Sequence, residues 1–462
     1  MNPEKAGPLC AGAAKADISP QKGIQIAGDI GRRRPCTGVR EPIYARALVL
    51  GHGQKRFCIL ALDVLAIDNP WADEIRRRAQ DAYGLAPEAV IIHVLQNHAA
   101  PSIGNHFCRD ESDIFPAEHQ WLRGGDERYN EPAVAGALKA IGEAIERLTP
   151  VSLAAGRAVD GRVAFNRRFV MRDGTAQCHP GNCNPDVLHV EGPTDPEVGV
   201  VTFTAQGGAV VSALLHHTCH PCHGFDGNDV IPGWPGAWAR EMETHWRGPC
   251  VPLVINGCCG NVHHHNHLSP DQGPDHNRMG AMLAESTKRA LQAMTPVPPT
   301  PFAWRRRILP VPRREIPDKL LAEARQLIAD HPEPLWKDDQ HIRVEWDWVY
   351  AVGIMDIADE RRTRPDYPYE IQALRIGDLA VLALMGEPFV EAQLAIKLAS
   401  PFPFTQVAHM CNGYLGYVPT ERAFEGGGYE TRTGRGSRLA PGALKMVQDA
   451  AVDLARSLHG ST

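Results

Sequence analysis

Two rhythms of apolar and polar positions alternate along the chain. Residues 43–50 and 57–63 are apolar, β-branched runs separated by Gly51-His52-Gly53, which predicts a β-hairpin. Asn69-Pro70 then reads as a helix N-cap with proline in the first turn, opening a helix to about Tyr83. A buried strand is predicted over 89–94. Strand, helix and strand in this order form a βαβ unit, whose strands normally pair in parallel. A second helix is predicted from near Asn130, with Pro132 in its first turn. Val134, Leu138, Ile141, Ile145 and Leu148 give it one apolar stripe.

Strands are expected again over 199–204, 209–215 and 251–255, and a late hairpin, 369–376 with 379–385, turns at Gly377-Asp378. The class is α/β, with a mixed central sheet flanked by helices. A proline- and arginine-rich segment, 296–312, precedes a helical stretch over 317–329. Because strands resume afterwards, it reads as an insertion around 300–365 within a single domain spanning 1–462.

Composition narrows the function classes. The chain has 48 Lys plus Arg against 54 Asp plus Glu, a net charge of −6, so there is no basic stripe to attract a nucleic acid. Arg32-Arg33-Arg34 and Arg305-Arg306-Arg307 read as solvated faces. The segment 1–15 lacks the basic start and apolar run of a secretory signal, and no stretch is long and apolar enough to span a membrane. A cytoplasmic location without stable membrane insertion is expected, with few or no disulfides among the twelve cysteines. A homo-oligomer is compatible with the sequence.

Four predicted strands run out into polar loops, where open α/β sheets collect ligands. After 89–94 comes Gln96-Asn97-His98, and after 209–215 comes His216-His217-Thr218-Cys219-His220-Pro221-Cys222-His223. Imidazole and thiolate are the usual ligands of zinc-like metals. Cys219 and Cys222 form a C-x-x-C pair, but Pro221 and Gly224 argue against the helix a redox motif needs. The thiols therefore read as core groups or as groups behind the ligands. After 251–255 comes a glycine-rich turn, Gly257 to Asn261, leading to His263-His264-His265. Successive side chains alternate in direction on an extended backbone, so one or two of these three can reach an ion. The fourth loop begins Gly386-Glu387-Pro388, where a carboxylate at the end of a core strand needs a partner or a cation.

Taken in order, the motifs resemble the neutral/alkaline non-lysosomal ceramidase family, as a short relative without the C-terminal β-sandwich. The resemblance is carried by Ala14 to Pro20, Tyr44-Ala45-Arg46-Ala47, Asn166-Arg167, Cys219-His220-Pro221, Trp234-Pro235-Gly236, Gly257 to Asn261 and Gly386-Glu387-Pro388. Asn412 to Thr420 is similar to the family's paired-tyrosine segment. The resemblance implies one divalent metal ion, zinc first among the candidates, with His220, Glu387 and Tyr417 as ligands. It also places Tyr429 at a substrate-contacting position. The chain departs from the family where Gln96 stands for a ligand histidine and where His263 follows Asn261-Val262. His263 or His264 is therefore expected to complete the metal shell.

The function expected is metal-dependent hydrolysis of an amide or ester in a small soluble substrate other than ceramide. His98 would shuttle the proton, Arg167 or Tyr429 would steady the oxyanion, and Asn261 would belong to the catalytic group. The alternatives are a metal-dependent lyase or isomerase acting by proton abstraction, and a non-catalytic metal-binding protein.

Overall fold

The computed structural model describes residues 7–107, 115, 117–271 and 273–460. Part of the N-terminal segment read for a signal, residues 1–6, lies outside them. Strands β1 (Cys10–Asp17), β2 (Tyr44–His52), β3 (Lys55–Leu62), β4 (Val90–Val94), β5 (Thr149–Val159), β6 (Glu197–Ala205), β7 (Val210–His217), β8 (Val251–Asn256) and β9 (Thr295–Val297) form a nine-stranded mixed sheet. Its order is β8-β7-β6-β5-β1-β2-β3-β4, with β9 also against β5. The pairs β3 with β4 and β7 with β8 are parallel, as the βαβ pattern predicts for the first, and the other pairs are antiparallel. A second sheet, β10 (Phe302–Pro312), β11 (Asp366–Ile376), β12 (Leu379–Leu384) and β13 (Phe404–Ala408), runs in chain order with only β12 and β13 parallel.

Side-chain alternation along the strands builds the layers. Leu48, Leu50, Phe57 and Ile59 pack against Leu374, Ile376, Leu379 and Val381 of the second sheet. The intervening Ala47, Val49, Cys58 and Leu60 face α1 (Asn69–Tyr83) and α2 (Glu127–Glu146). Helices α3 (Gly233–Trp246) and α4 (His276–Leu291) cover β6 to β8. The outer face of the second sheet is closed by α7 (Val390–Ala399) and by the C-terminal helix α9 (Ala443–His459). The result is helices, sheet, sheet, helices.

Local chemistry moves several expected boundaries. The cap of α1 is Asp68, whose carboxylate accepts the Trp71 N–H at 3.0 Å, and not Asn69. Helix α2 begins at Glu127 behind an Asp126 cap, so Pro132 falls inside the helix and not in its first turn. The segment read as the start of an insertion is strand β10, paired along its full length with β11. Arg305, Arg306 and Arg307 are exposed on this edge strand, a charged edge of the kind that discourages sheet-to-sheet association. Two helices between β10 and β11, α5 (Asp318–Asp330) and α6 (Trp346–Thr363), make up the rest of that segment. They pack on each other and on Phe107, Phe115 and Leu122.

The reading of Arg32-Arg33-Arg34 as a solvated face fails for Arg34, which is completely buried, and for Arg32, which is nearly so. Arg33 alone is exposed. The cysteines among the described residues are free thiols. No helix among those residues is long and apolar enough to cross a membrane.

Candidate active site

The carboxyl ends of β4, β7, β8 and β12 open onto one cavity of about 1110 Å³. The edge strands β4 and β8 meet there: His93 donates from Nδ1 to the His409 carbonyl at 2.8 Å and accepts the Asn256 N–H on Nε2 at 2.9 Å. One neutral imidazole thus joins the ends of β4 and β8 to the segment after β13.

Short strand pairings then place the polar side chains. Glu387 lies directly opposite Tyr417 in a parallel two-residue pairing, which sends both side chains to the same side. His220 and His263 face each other in a similar bridge, and Val262-His263 pairs with Phe165-Asn166, which brings in Arg167. Close backbone approach at two of these crossings requires glycine. A Cβ on Gly260 would stand 2.4 Å from the Glu387 carbonyl oxygen, and one on Gly28 would stand 2.2 Å from that of His98. Gln96 itself has φ of 62°, an unfavourable left-handed conformation for a residue with a side chain.

Two histidines define the centre. The Nε2 atoms of His98 and His220 are 2.9 Å apart. The Nδ1 of His98 is 2.8 Å from the Gly28 carbonyl, and that of His220 is 3.4 Å from the Cys259 carbonyl. A carbonyl can only accept, so each Nδ1 carries the proton and each neutral ring turns a bare Nε2 lone pair toward the other. Burial pushes the His98 imidazole down to about 3 and holds that of His220 well below the usual range, Arg167 adding to the effect on both. A proton shared between the rings is therefore disfavoured near neutrality, and the two lone pairs face each other across 2.9 Å.

A carboxylate that lines the same cavity has the same character. Glu387 Oε1 accepts the Tyr414 O–H at 3.3 Å, while its Oε2 and the Gln96 Oε1 are buried without hydrogen-bond partners among the described residues. Burial raises the Glu387 carboxyl to about 7, against the opposing pull of Gln96, Arg167, Tyr417 and Tyr414. Orphaned buried oxygens in the same cavity as the facing nitrogen lone pairs fit a divalent ion. His98, His220 and Cys222 bring their donor atoms within 4.8 Å of one another.

Around this centre, Arg167 donates to Glu430 Oε1 at 3.1 Å and to the Gly260 carbonyl at 2.6 Å. Its guanidinium lies 5.5 Å from the Tyr417 ring centroid and 5.2 Å from that of Tyr429. Glu430 is fully buried and also accepts from Arg168 and Cys178, so Arg167 is held rigidly. Eight histidines line the cavity, and His223, His264 and His263 form a continuous stack with ring separations of 3.8 and 4.2 Å.

Neither family profiles nor curated protein sequences give a match to this chain. Solved structures do. The chain aligns with the neutral ceramidase from Pseudomonas aeruginosa at a TM-score of 0.73 and 19% identity, covering 98% of this chain and 74% of that one. A ceramidase complexed with C2 aligns at 0.71 and 17%, over 98% and 75% of the two chains. The fold is that of the neutral ceramidases.

Within this ceramidase fold, His98, Arg167, His220, His263, His264, Glu387, Tyr417 and Tyr429 all line the same cavity. Asn261 does not. Its Oδ1 accepts the Val390 N–H at 2.9 Å and its Nδ2 donates to Glu391 at 3.0 Å, so it fixes the start of α7 behind the site. His263 accepts the His265 N–H on Nδ1, which leaves the proton on Nε2 and no free lone pair in the neutral ring. His264 stacks on His223. The C-x-x-C pair divides: Cys219 is core, whereas Cys222 faces the cavity. Sequence reasoning missed His93, Tyr414 and Arg34. Arg34 donates to the carbonyls of His98, Gly224 and Gly227 and so pins two site loops together.

Proposed function

We propose that this protein is a metal-dependent hydrolase of an amide bond, acting on a polar substrate smaller than a ceramide. The observation that carries the reading is the pair of unprotonated Nε2 atoms of His98 and His220, 2.9 Å apart in the same cavity as the unpartnered Glu387 oxygen. His98, His220 and Glu387 would hold the ion, with Tyr417 against Glu387. His98 thereby changes from the expected proton shuttle to a ligand, and the expected roles of His263 and His264 as ligands lose their support.

When bound, a divalent ion supplies Lewis acidity toward an amide carbonyl and lowers the pKa of a water to about 7. The chain's own groups do the rest. Arg167, caged by Glu430, contributes a fixed positive potential that favours negative charge on an oxygen in the cavity. His263 offers its Nε2–H as a donor to a substrate or leaving group. Tyr429, 38% exposed at the rim, provides an aromatic face for orientation. The polar substrate is favoured because eight histidines line the cavity, and their ring nitrogens suit a substrate that carries hydrogen-bonding groups.

The test is elemental analysis of the purified protein together with a panel of N-acyl amides in oxygen-18 water. One zinc-like ion per chain is expected, with turnover abolished by a chelator and restored by the metal, and with solvent oxygen in the released acid. Glu387→Ala should weaken metal retention by at least about 100-fold, since even groups behind the ligands cost 10- to 100-fold. Turnover that survives complete removal of metal would end this reading.

A further inference from the structure

We infer that Cys222 is a thiolate ligand of the ion, completing with His98 and His220 a mixed nitrogen and sulfur donor set. The inference rests on the metal-dependent reading and deepens it, because it specifies what kind of ion the site prefers.

Three observations converge on Cys222. Its sulfur lies within 4.8 Å of the ligand nitrogens of both His98 and His220, which is close enough for one ion to be shared after small adjustments. The backbone directs it there. The Cys222 N–H donates to the His220 carbonyl at 3.1 Å, closing a three-residue turn around Pro221. Proline's fixed φ suits the centre of such a turn, which folds Cys222 back beside His220 instead of letting the chain run on. Finally, the two thiols of the C-x-x-C pair have different surroundings. The Cys219 thiol sits in the apolar core and donates to the carbonyls of Val163 and His220. Cys222 lines the cavity, and its thiol makes no hydrogen bond among the described residues.

The electrostatics agree. A divalent cation facing one thiolate and the Glu387 carboxylate is neutralised by the protein itself, which suits a buried site. The fourth donor position, expected of His263 or His264, is then filled from the same turn that carries His220. Thiolate with imidazole selects zinc, cobalt or iron over magnesium, calcium and manganese, which prefer oxygen. Binding displaces the thiol proton to solvent, so loading releases at least one proton per ion.

The experiment is cobalt substitution of the full-length protein, read by its near-ultraviolet thiolate-to-cobalt charge-transfer absorption, alongside zinc-edge X-ray absorption of the zinc form. The wild type should show the charge-transfer band and one sulfur scatterer at about 2.3 Å. Cys222→Ser should lose the band, while Cys219→Ser should keep it. Circular dichroism of both variants checks folding, and the X-ray measurement on the wild type does not depend on any variant. An ion bound with no sulfur neighbour, or a band that survives in Cys222→Ser, overturns the inference while leaving the metal-dependent hydrolase standing. Absence of any bound ion in the wild type overturns both.

Discussion

Arg34 ends a run of three arginines, yet it alone of the three is completely buried. Its guanidinium hydrogen-bonds to backbone carbonyls and stands 5.7 Å from the Phe225 ring centroid, and burial together with the Arg32 charge lowers its pKa to about 10. This is a positioning residue, since it holds the carbonyl of His98 while Gly28 holds the ring. Replacing it with methionine keeps the length of the side chain and removes the donors. Charge-assisted hydrogen bonds contribute about 1.5–3 kcal/mol each, so Arg34→Met should cost about 3 kcal/mol or more. Urea denaturation would measure that loss, and metal affinity should fall in parallel. Arg33→Met, at an exposed position, should change neither. Equal behaviour of the two variants would show that the buried contacts carry no special weight.

Among elements, the parallel strand pairs matter most, because their carboxyl ends deliver the chemistry. His93 at the end of β4 couples them, and both of its nitrogens are used on backbone groups. His93→Phe fills the space but leaves the Asn256 N–H and the His409 carbonyl buried without partners, a cost of about 2–4 kcal/mol. The melting temperature should drop accordingly. His93→Ala rescued to wild-type stability by added imidazole would strengthen the assignment, and a phenylalanine variant as stable as the parent would refute it.

The strands themselves were legible from apolar runs, and the site loops were legible as polar segments where those runs stop. His220, Glu387 and Tyr417 could be singled out only through the resemblance. His93 could not be found by pattern, because a histidine inside an apolar strand looks like any interior residue until its partners on other strands are known. Arg34 failed for the opposite reason. Charge runs are solvated by default, and burial here depends on carbonyls almost two hundred residues away in Gly224 and Gly227. Strand β10 escaped the pattern because proline and arginine do not mark a strand in general, yet both are tolerated on the exposed edge of this sheet.

For the whole molecule, the number of buried imidazoles sets the response to acid. Burial lowers the folded-state pKa of His93, His106 and His267 to about 4, from an ordinary 6.5. An unfolded chain binds these protons first, so the stability they contribute is fully present above pH 6.5 and is lost as the pH falls toward 4. Asp63 acts in the opposite sense. Burial raises its carboxyl to about 6, so acidification between about 6 and 4 favours the folded state at that one group. Burial raises Glu387 likewise, to about 7, but three imidazoles outweigh two carboxyls, at about 1.4 kcal/mol per pK unit each. Asp160, kept at about 2 against burial by Arg162 and Ser286, loses its contribution only below its ordinary 3.8. The denaturation midpoint in urea should therefore decline steadily from pH 6.5 to 4.5. A midpoint flat across that window would contradict the sum.

The cavity wall formed by Trp346, Val349 and Tyr350 belongs to α6, which is anchored on Trp348, Val352, Phe107 and Phe115 and not on either sheet. The groups that would cleave a bond stand in loops at strand ends and line the same chamber. On the proposed function, girth selection and bond breaking would fall to separate modules, and drift in the sequence of α6 would retune which molecules are admitted while the donor atoms stay where the strands hold them.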